Sequence, residues 1–170
     1  MSFLMKIVIG GKIDKRILEY YFKIYTRSTG FEADFMLQEM VINGVPLKFQ
    51  NWVLYTYKRS VLFYGGLALI IFYHKNDRTS YKEVVKWYNN FKKYSGRSIE
   101  EYPQDCLVIV AMSNNSEKVT IKEGQVLADK LGMVYFETSL QNKAYLEDLP
   151  KIVFKIGEAF LEYIRIQQAK

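Results

Sequence analysis

Hydrophobic positions along this chain fall into two rhythms. Short, nearly unbroken apolar runs occur at Phe3–Ile9, Leu67–Tyr73, Cys106–Met112 and Met133–Glu137. Runs of this length suit strands covered on both faces. Elsewhere apolar residues recur every three or four positions. Ile17, Leu18, Tyr21, Phe22 and Tyr25 mark one side of a helix that Asp14 would cap, and Tyr81, Val84, Val85, Tyr88 and Phe91 mark a second over Thr79–Tyr94. Thr120-Ile-Lys-Glu123 reads as a capping box opening a third helix, with Gly132 as its stop. An apolar stripe from Leu149 to Ile164 predicts a long C-terminal helix. Phe35–Ile42 and Val45–Tyr55 flank Asn43-Gly44, a strong hairpin signal because both turn residues need positive φ. Thr26–Asp34, the aromatic stretch Tyr55–Gly66 and Ser95–Gln104 read as connections.

The resulting order, β-α-β-β-β-α-β-α-β-α, predicts an α/β protein, with residues 1–170 forming a single domain. Its six-stranded sheet is mostly parallel with one antiparallel hairpin strand, and helices cover both faces. Ligands of such sheets bind at the carboxyl ends of the strands. The loops after Ile9, Tyr55, Met112 and Glu137 are therefore the ones to inspect.

Composition narrows the function classes. At 170 residues and 49% hydrophobic content the chain can bury a core without staples. Cys106 is the only cysteine and lies in an apolar run, so it reads as a small buried side chain. Lys6 interrupts the N-terminal apolar run, and Val61–Tyr73 is too short to span a bilayer. Ser2 and the terminal Gln-Gln-Ala-Lys fit no acylation or prenylation pattern. The expectation is a soluble, cytoplasmic protein without a lipid anchor. The net charge of +6 is spread along the chain, enriched locally at Lys82, Lys86, Lys92, Lys93 and Arg97. Lys82, Lys86 and Lys93 share one helix face, for which a solvated surface is favoured over an acidic partner or a peripheral anionic surface. No nucleic-acid partner is expected. His74 is the only histidine and has no Cys, Asp or second His at ligand spacing, so no metal site is expected.

Several ordered stretches carry a resemblance. Lys6-Ile-Val-Ile-Gly10, Val41-Ile-Asn-Gly44 with Leu47 to Trp52, Ala68 to Tyr73 with Asp77-Arg-Thr-Ser-Tyr81, and Phe136-Glu-Thr-Ser139 stand at the separations of one framework. The chain resembles a Ras-superfamily small GTPase of Ras or Rab type over roughly residues 4 to 165. The resemblance implies a single Ras-like G domain.

The family's functional motifs are degraded together. Its phosphate loop is Gly, four residues, then Gly-Lys-Ser/Thr. Counting from Gly10, and passing Gly11 and Lys12, those last three positions hold Lys15, Arg16 and Ile17. The magnesium hydroxyl is thus absent, and a side chain stands where backbone should approach phosphate. Asp14 adds a carboxylate at the helix end that would bind phosphate. After Trp52, the family's Asp, Gly and Gln fall on Val53, Thr56 and Tyr57. Either Ser28 or Thr29 could match the first-switch threonine. The guanine-reading motif becomes Met112-Ser113-Asn114-Asn115, and of the last motif only Ser139 survives, followed by Leu140 and Gln141. Gly10, Gly11, Lys15, Arg16, Asn115 and Ser139 are therefore read as vestiges of a nucleotide site. Neither GTP or GDP nor magnesium is expected as a cofactor, and no residue is assigned a catalytic role.

Tyr55, Tyr57, Phe63 and Tyr64 crowd the second-switch segment. They read either as an interface with a protein partner or as infill of the vacated pocket. The resemblance implies a pseudo-GTPase acting as an interaction module or subunit. The alternative is a divergent nucleotide-binding protein with little or no hydrolysis.

Overall fold

The structure, a computed structural model, describes residues 2–24, 32–98, 101 and 103–170. Tyr25, Ser28 and Thr29 lie outside those residues. In chain order the elements are β1 (Phe3–Gly11), α1 (Lys15–Tyr20), β2 (Ala33–Ile42), β3 (Val45–Leu54), β4 (Ala68–His74), α2 (Arg78–Tyr94), β5 (Leu107–Ser113), α3 (Ile121–Leu131), β6 (Val134–Ser139) and α4 (Tyr145–Gln168). A short 3-10 turn, Ser60–Phe63, precedes β4.

The strands form one six-stranded sheet in the order β2-β3-β1-β4-β5-β6. Only β2 runs antiparallel, paired to β3 through the Asn43-Gly44 turn, where both residues have positive φ. The β1–β3, β1–β4, β4–β5 and β5–β6 pairs are all parallel. Two cores sandwich the sheet, because successive side chains of a strand point to opposite faces. Met5, Ile7 and Ile9 pack with Ile17, Ile152 and Ile156 beneath α1 and α4. Val8, Leu69 and Ile71 pack with Val84, Trp87 and Ala128 beneath α2 and α3. The expected six-stranded α/β architecture is the one observed.

Helix caps follow the sequence signals. Thr120 and Glu123 form the reciprocal capping box, and Gly132 closes α3 in the left-handed region at φ 68°. Asp77 caps α2 through the Thr79 and Ser80 amides. Strand ends shift by one or two residues from expectation, β1 running to Gly11, β2 starting at Ala33 and β6 ending at Ser139, and one helix differs by more. The first helix was expected to run through Tyr25 but ends at Tyr20. Lys23 turns left-handed at φ 58°, and the Ile24 amide donates back to the Leu18 carbonyl at 2.9 Å. This break lets Phe22 bury completely in the α1/α4 core. Burying that ring is worth roughly 1.5–3 kcal/mol, against about 1–2 kcal/mol for a left-handed lysine.

Candidate functional site

The parallel strands β3, β1, β4, β5 and β6 all end at one edge, and the strand order reverses around β1. That edge is where a doubly wound sheet takes its ligands. β1 ends on two glycines, which still pair with β4; at Gly10 an added Cβ would lie 2.3 Å from the Trp87 ring. Gly11 follows at φ 85°, with the Phe72 carbonyl only 2.1 Å from where its Cβ would stand. Both glycines are thus required by packing against α2 and β4. The Lys12 amide donates to the Phe72 carbonyl at 3.0 Å, and its Nζ pairs with Asp77 Oδ2 at 2.7 Å.

Asp14 then closes the start of α1. Its Oδ1 accepts the Arg16 amide at 2.9 Å and Arg16 Nε at 2.8 Å, and its Oδ2 accepts Arg16 Nη2 at 3.1 Å. Burial alone would raise the Asp14 carboxyl, but these bonds to Arg16 outweigh it and hold the group below the usual aspartate range. Lys15 points away and pairs with Glu19 at 3.4 Å. Ile17 and Val53, the residues that the resemblance sets at the magnesium hydroxyl and carboxylate positions, are both fully buried in the α1/α4 core.

The loops after β5 and β6 come together at the same edge. Asn115 Oδ1 accepts a hydrogen bond from Gln141 Nε2, and Ser139 Oγ accepts from the Gln141 amide at 3.1 Å. Gln141 therefore ties Asn115 to Ser139. His74 ends β4, and burial holds its imidazole below the ordinary value. Among the described residues, no three His, Cys, Asp or Glu side chains are grouped to hold a metal ion.

The aromatic segment after β3 divides. Phe63 is completely buried, with its ring centroid 6.2 Å from that of Trp87, so as a candidate interface residue it is corrected to core. Tyr57 stands edge-on to Trp87 at 5.7 Å and Tyr55 donates to Asp34 Oδ2, both half-buried. Tyr64 is 70% exposed, and its ring lies against Gly96. Lys82, Lys86 and Lys93 are exposed along α2, with Lys86 reaching 5.8 Å from the Tyr57 ring. A polar hollow of about 450 Å³ opens between Lys12, Tyr57, Lys58, Asp77 and Glu83.

A second surface escaped the sequence reading. Phe35, Leu37 and Val41 of β2 share a sheet face with Trp52 of β3 and Leu4 of β1, by the strand registers. Phe35, Leu37, Val41 and Leu4 are all exposed, and the Phe35 ring centroid lies 5.0 Å from that of Trp52. Alternation within β2 was the available signal. It could not reveal which face, among the described residues, has no helix over it.

Sheet order, the hairpin and the two glycines that end β1 together describe a Ras-like G domain. The Ras family pattern matches residues 15–157, and the chain belongs to that family. Among its relatives, the Ras-related protein RABE1e of Arabidopsis thaliana is 23% identical over 163 residues, covering 87% of this chain and 72% of the relative. The Ras-related protein SEC4 of Saccharomyces cerevisiae is 23% identical over 145 residues, covering 80% and 62%. The GTP-binding protein yptV2 of Volvox carteri is 23% identical over 143 residues, covering 78% and 63%. This chain thus spans under two thirds of the length of two of these three.

Proposed function

We propose that this Ras-family chain is a pseudo-GTPase, a G domain kept as a protein-interaction module. The observation that carries the reading is the self-closed start of α1. Asp14 spends both carboxylate oxygens on Arg16, placing negative charge where a phosphate would need donors and positive potential. The buried Ile17 and Val53 offer no ligand to magnesium, and Tyr57 is no group for positioning a water. These residues do not fit a magnesium nucleotide, so no hydrolytic step is assigned to them.

Interaction falls to the surface around the second-switch segment. Tyr57 packs on the same side of the sheet as Trp52, whose ring meets the exposed Phe35, and Lys6, lying over the Trp52 ring, donates to the Tyr64 carbonyl, while Tyr55 packs on the other side; aromatic groups beside an exposed apolar face suit a protein partner. Lys82, Lys86 and Lys93 would flank such a contact. The second reading, a divergent nucleotide binder, draws on Gly10 and Gly11, which keep the end of β1 free of side chains, and on the relative described as GTP-binding.

The two are separated by denaturing the purified chain, measuring released nucleotide, and titrating GTP, GDP and ATP calorimetrically in magnesium. The expected result is no bound nucleotide and no heat. Stoichiometric nucleotide would overturn the pseudo-GTPase reading.

A further inference from the structure

The loops following β4, β5 and β6 meet in one tied corner, and its centre is a buried lysine. Lys75, the first residue past β4, has a side chain only 1% exposed. Its Nζ donates to Glu117 Oε1 at 2.7 Å and to Glu137 Oε1 at 2.6 Å. The backbone of the same residue completes the tie. Its amide donates to the Met112 carbonyl at 2.9 Å, and its carbonyl accepts the Lys118 and Val119 amides at 2.8 Å each. Arg78 adds a further link, donating to the Lys118 carbonyl at 2.6 Å and to Glu123 Oε1 at 2.9 Å.

An ammonium removed from water is strongly disfavoured unless it is paired and hydrogen-bonded. Here two carboxylates satisfy it, Glu117 from the loop after β5 and Glu137 from strand β6. Burial alone would lower the Lys75 pKa, but the bonds to Glu117 and Glu137 outweigh it and raise it. The side chain of Glu117 is 48% exposed and could face water, yet it bends inward to the lysine. The segment so held, residues 114–119, carries Asn115, which is itself bonded to Gln141.

We infer that Lys75 is an internal clasp that orders the loop after β5 without a bound ligand. The clasp thereby makes the carboxyl edge of the sheet a fixed surface. This inference rests on the reading of the chain as a nucleotide-independent module, and its test keeps the two apart. Hydrogen–deuterium exchange is measured on the full chain as wild type, Glu117→Ala and Lys75→Met, each with and without millimolar GDP and magnesium. Glu117→Ala severs the loop while leaving the Lys75–Glu137 pair, so the fold survives even where Lys75→Met does not. The expected result is exchange at least roughly tenfold faster across residues 113–119, with 107–112 of β5 unchanged. GDP should leave the wild-type pattern as it was. Exchange in 113–119 within twofold of wild type for Glu117→Ala would overturn the clasp. So would wild-type protection that appears only when GDP is added. If the wild type binds nucleotide stoichiometrically while Glu117→Ala still loosens the loop of the nucleotide-free protein, the functional reading fails and the clasp stands.

Discussion

Removing the Asp14 side chain gives a direct measure of how firmly the first loop is closed. Asp14→Ala deletes an N-cap acceptor, worth about 1 kcal/mol. It also deletes a carboxylate at the positive end of α1, worth about 0.3–1 kcal/mol. The ion pair with Arg16 adds little, because the arginine side chain is 52% exposed and solvent screens it. The expected loss is about 1–2 kcal/mol, which for a chain of this size lowers Tm by about 2–8 °C. Asp14→Asn keeps an acceptor for the Arg16 amide and should lose roughly half as much. Calorimetry across pH supplies the second readout. The folded pKa of Asp14 lies below its ordinary value of 3.8. Its contribution is therefore present above that value and is lost as pH falls below it toward the folded pKa. The acid limb of Asp14→Ala should be flatter than that of the wild type. A stability equal to wild type, or an Asn variant as damaged as the Ala variant, would refute the cap.

Other expectations follow from packing and charge elsewhere. Gly124→Ala would set a methyl 2.4 Å from the Tyr135 ring and 2.5 Å from the Tyr73 hydroxyl, so overpacking of about 1–3 kcal/mol should outweigh the helix-propensity gain of about 1 kcal/mol in urea unfolding. Glu123 is held at about 2 by hydrogen bonds from Arg78 and the Thr120 backbone, so its contribution is present above the ordinary 4.5 and lost as pH falls toward 2; stability–pH curves of Glu123→Gln should be flatter across that window. Burial pushes the Cys106 thiol up to about 12, so a thiol reagent at pH 8 should react with the unfolded chain and not with the native one. Leu37→Asp on the uncovered face should leave urea stability within about 0.5 kcal/mol of wild type, and partner capture that persists unchanged would argue against that face as the contact.

The helix and strand pattern was legible because burial on two faces imposes it locally. Unbroken apolar runs gave β4, β5 and most of β1, and the Thr120–Glu123 box and Gly132 bracketed α3. The end of α1 was not legible, since periodicity continues through Tyr21 and Phe22 while the chain breaks at Lys23 to bury Phe22 elsewhere. Phe63 could not be separated from Tyr64 by residue type. The 3-10 turn sends one ring under α2 and its neighbour into solvent.

By itself the sequence determined the architecture, the family and the residue types at the start of α1, because each is read from residue type at short spacing. Asp14 before a helix is a cap wherever that helix packs, and Ile17 cannot ligate a metal in any fold. Tertiary structure decided which distant side chains meet. Lys75 lies 42 residues from Glu117 and 62 from Glu137, and no local pattern joins them. Parallel crossovers bring the ends of β4, β5 and β6 to one edge, and only there do a buried ammonium and two carboxylates meet. The exposed face of β2 has the same origin, since which side of a strand is left uncovered depends on where α2 and α4 settle against the sheet.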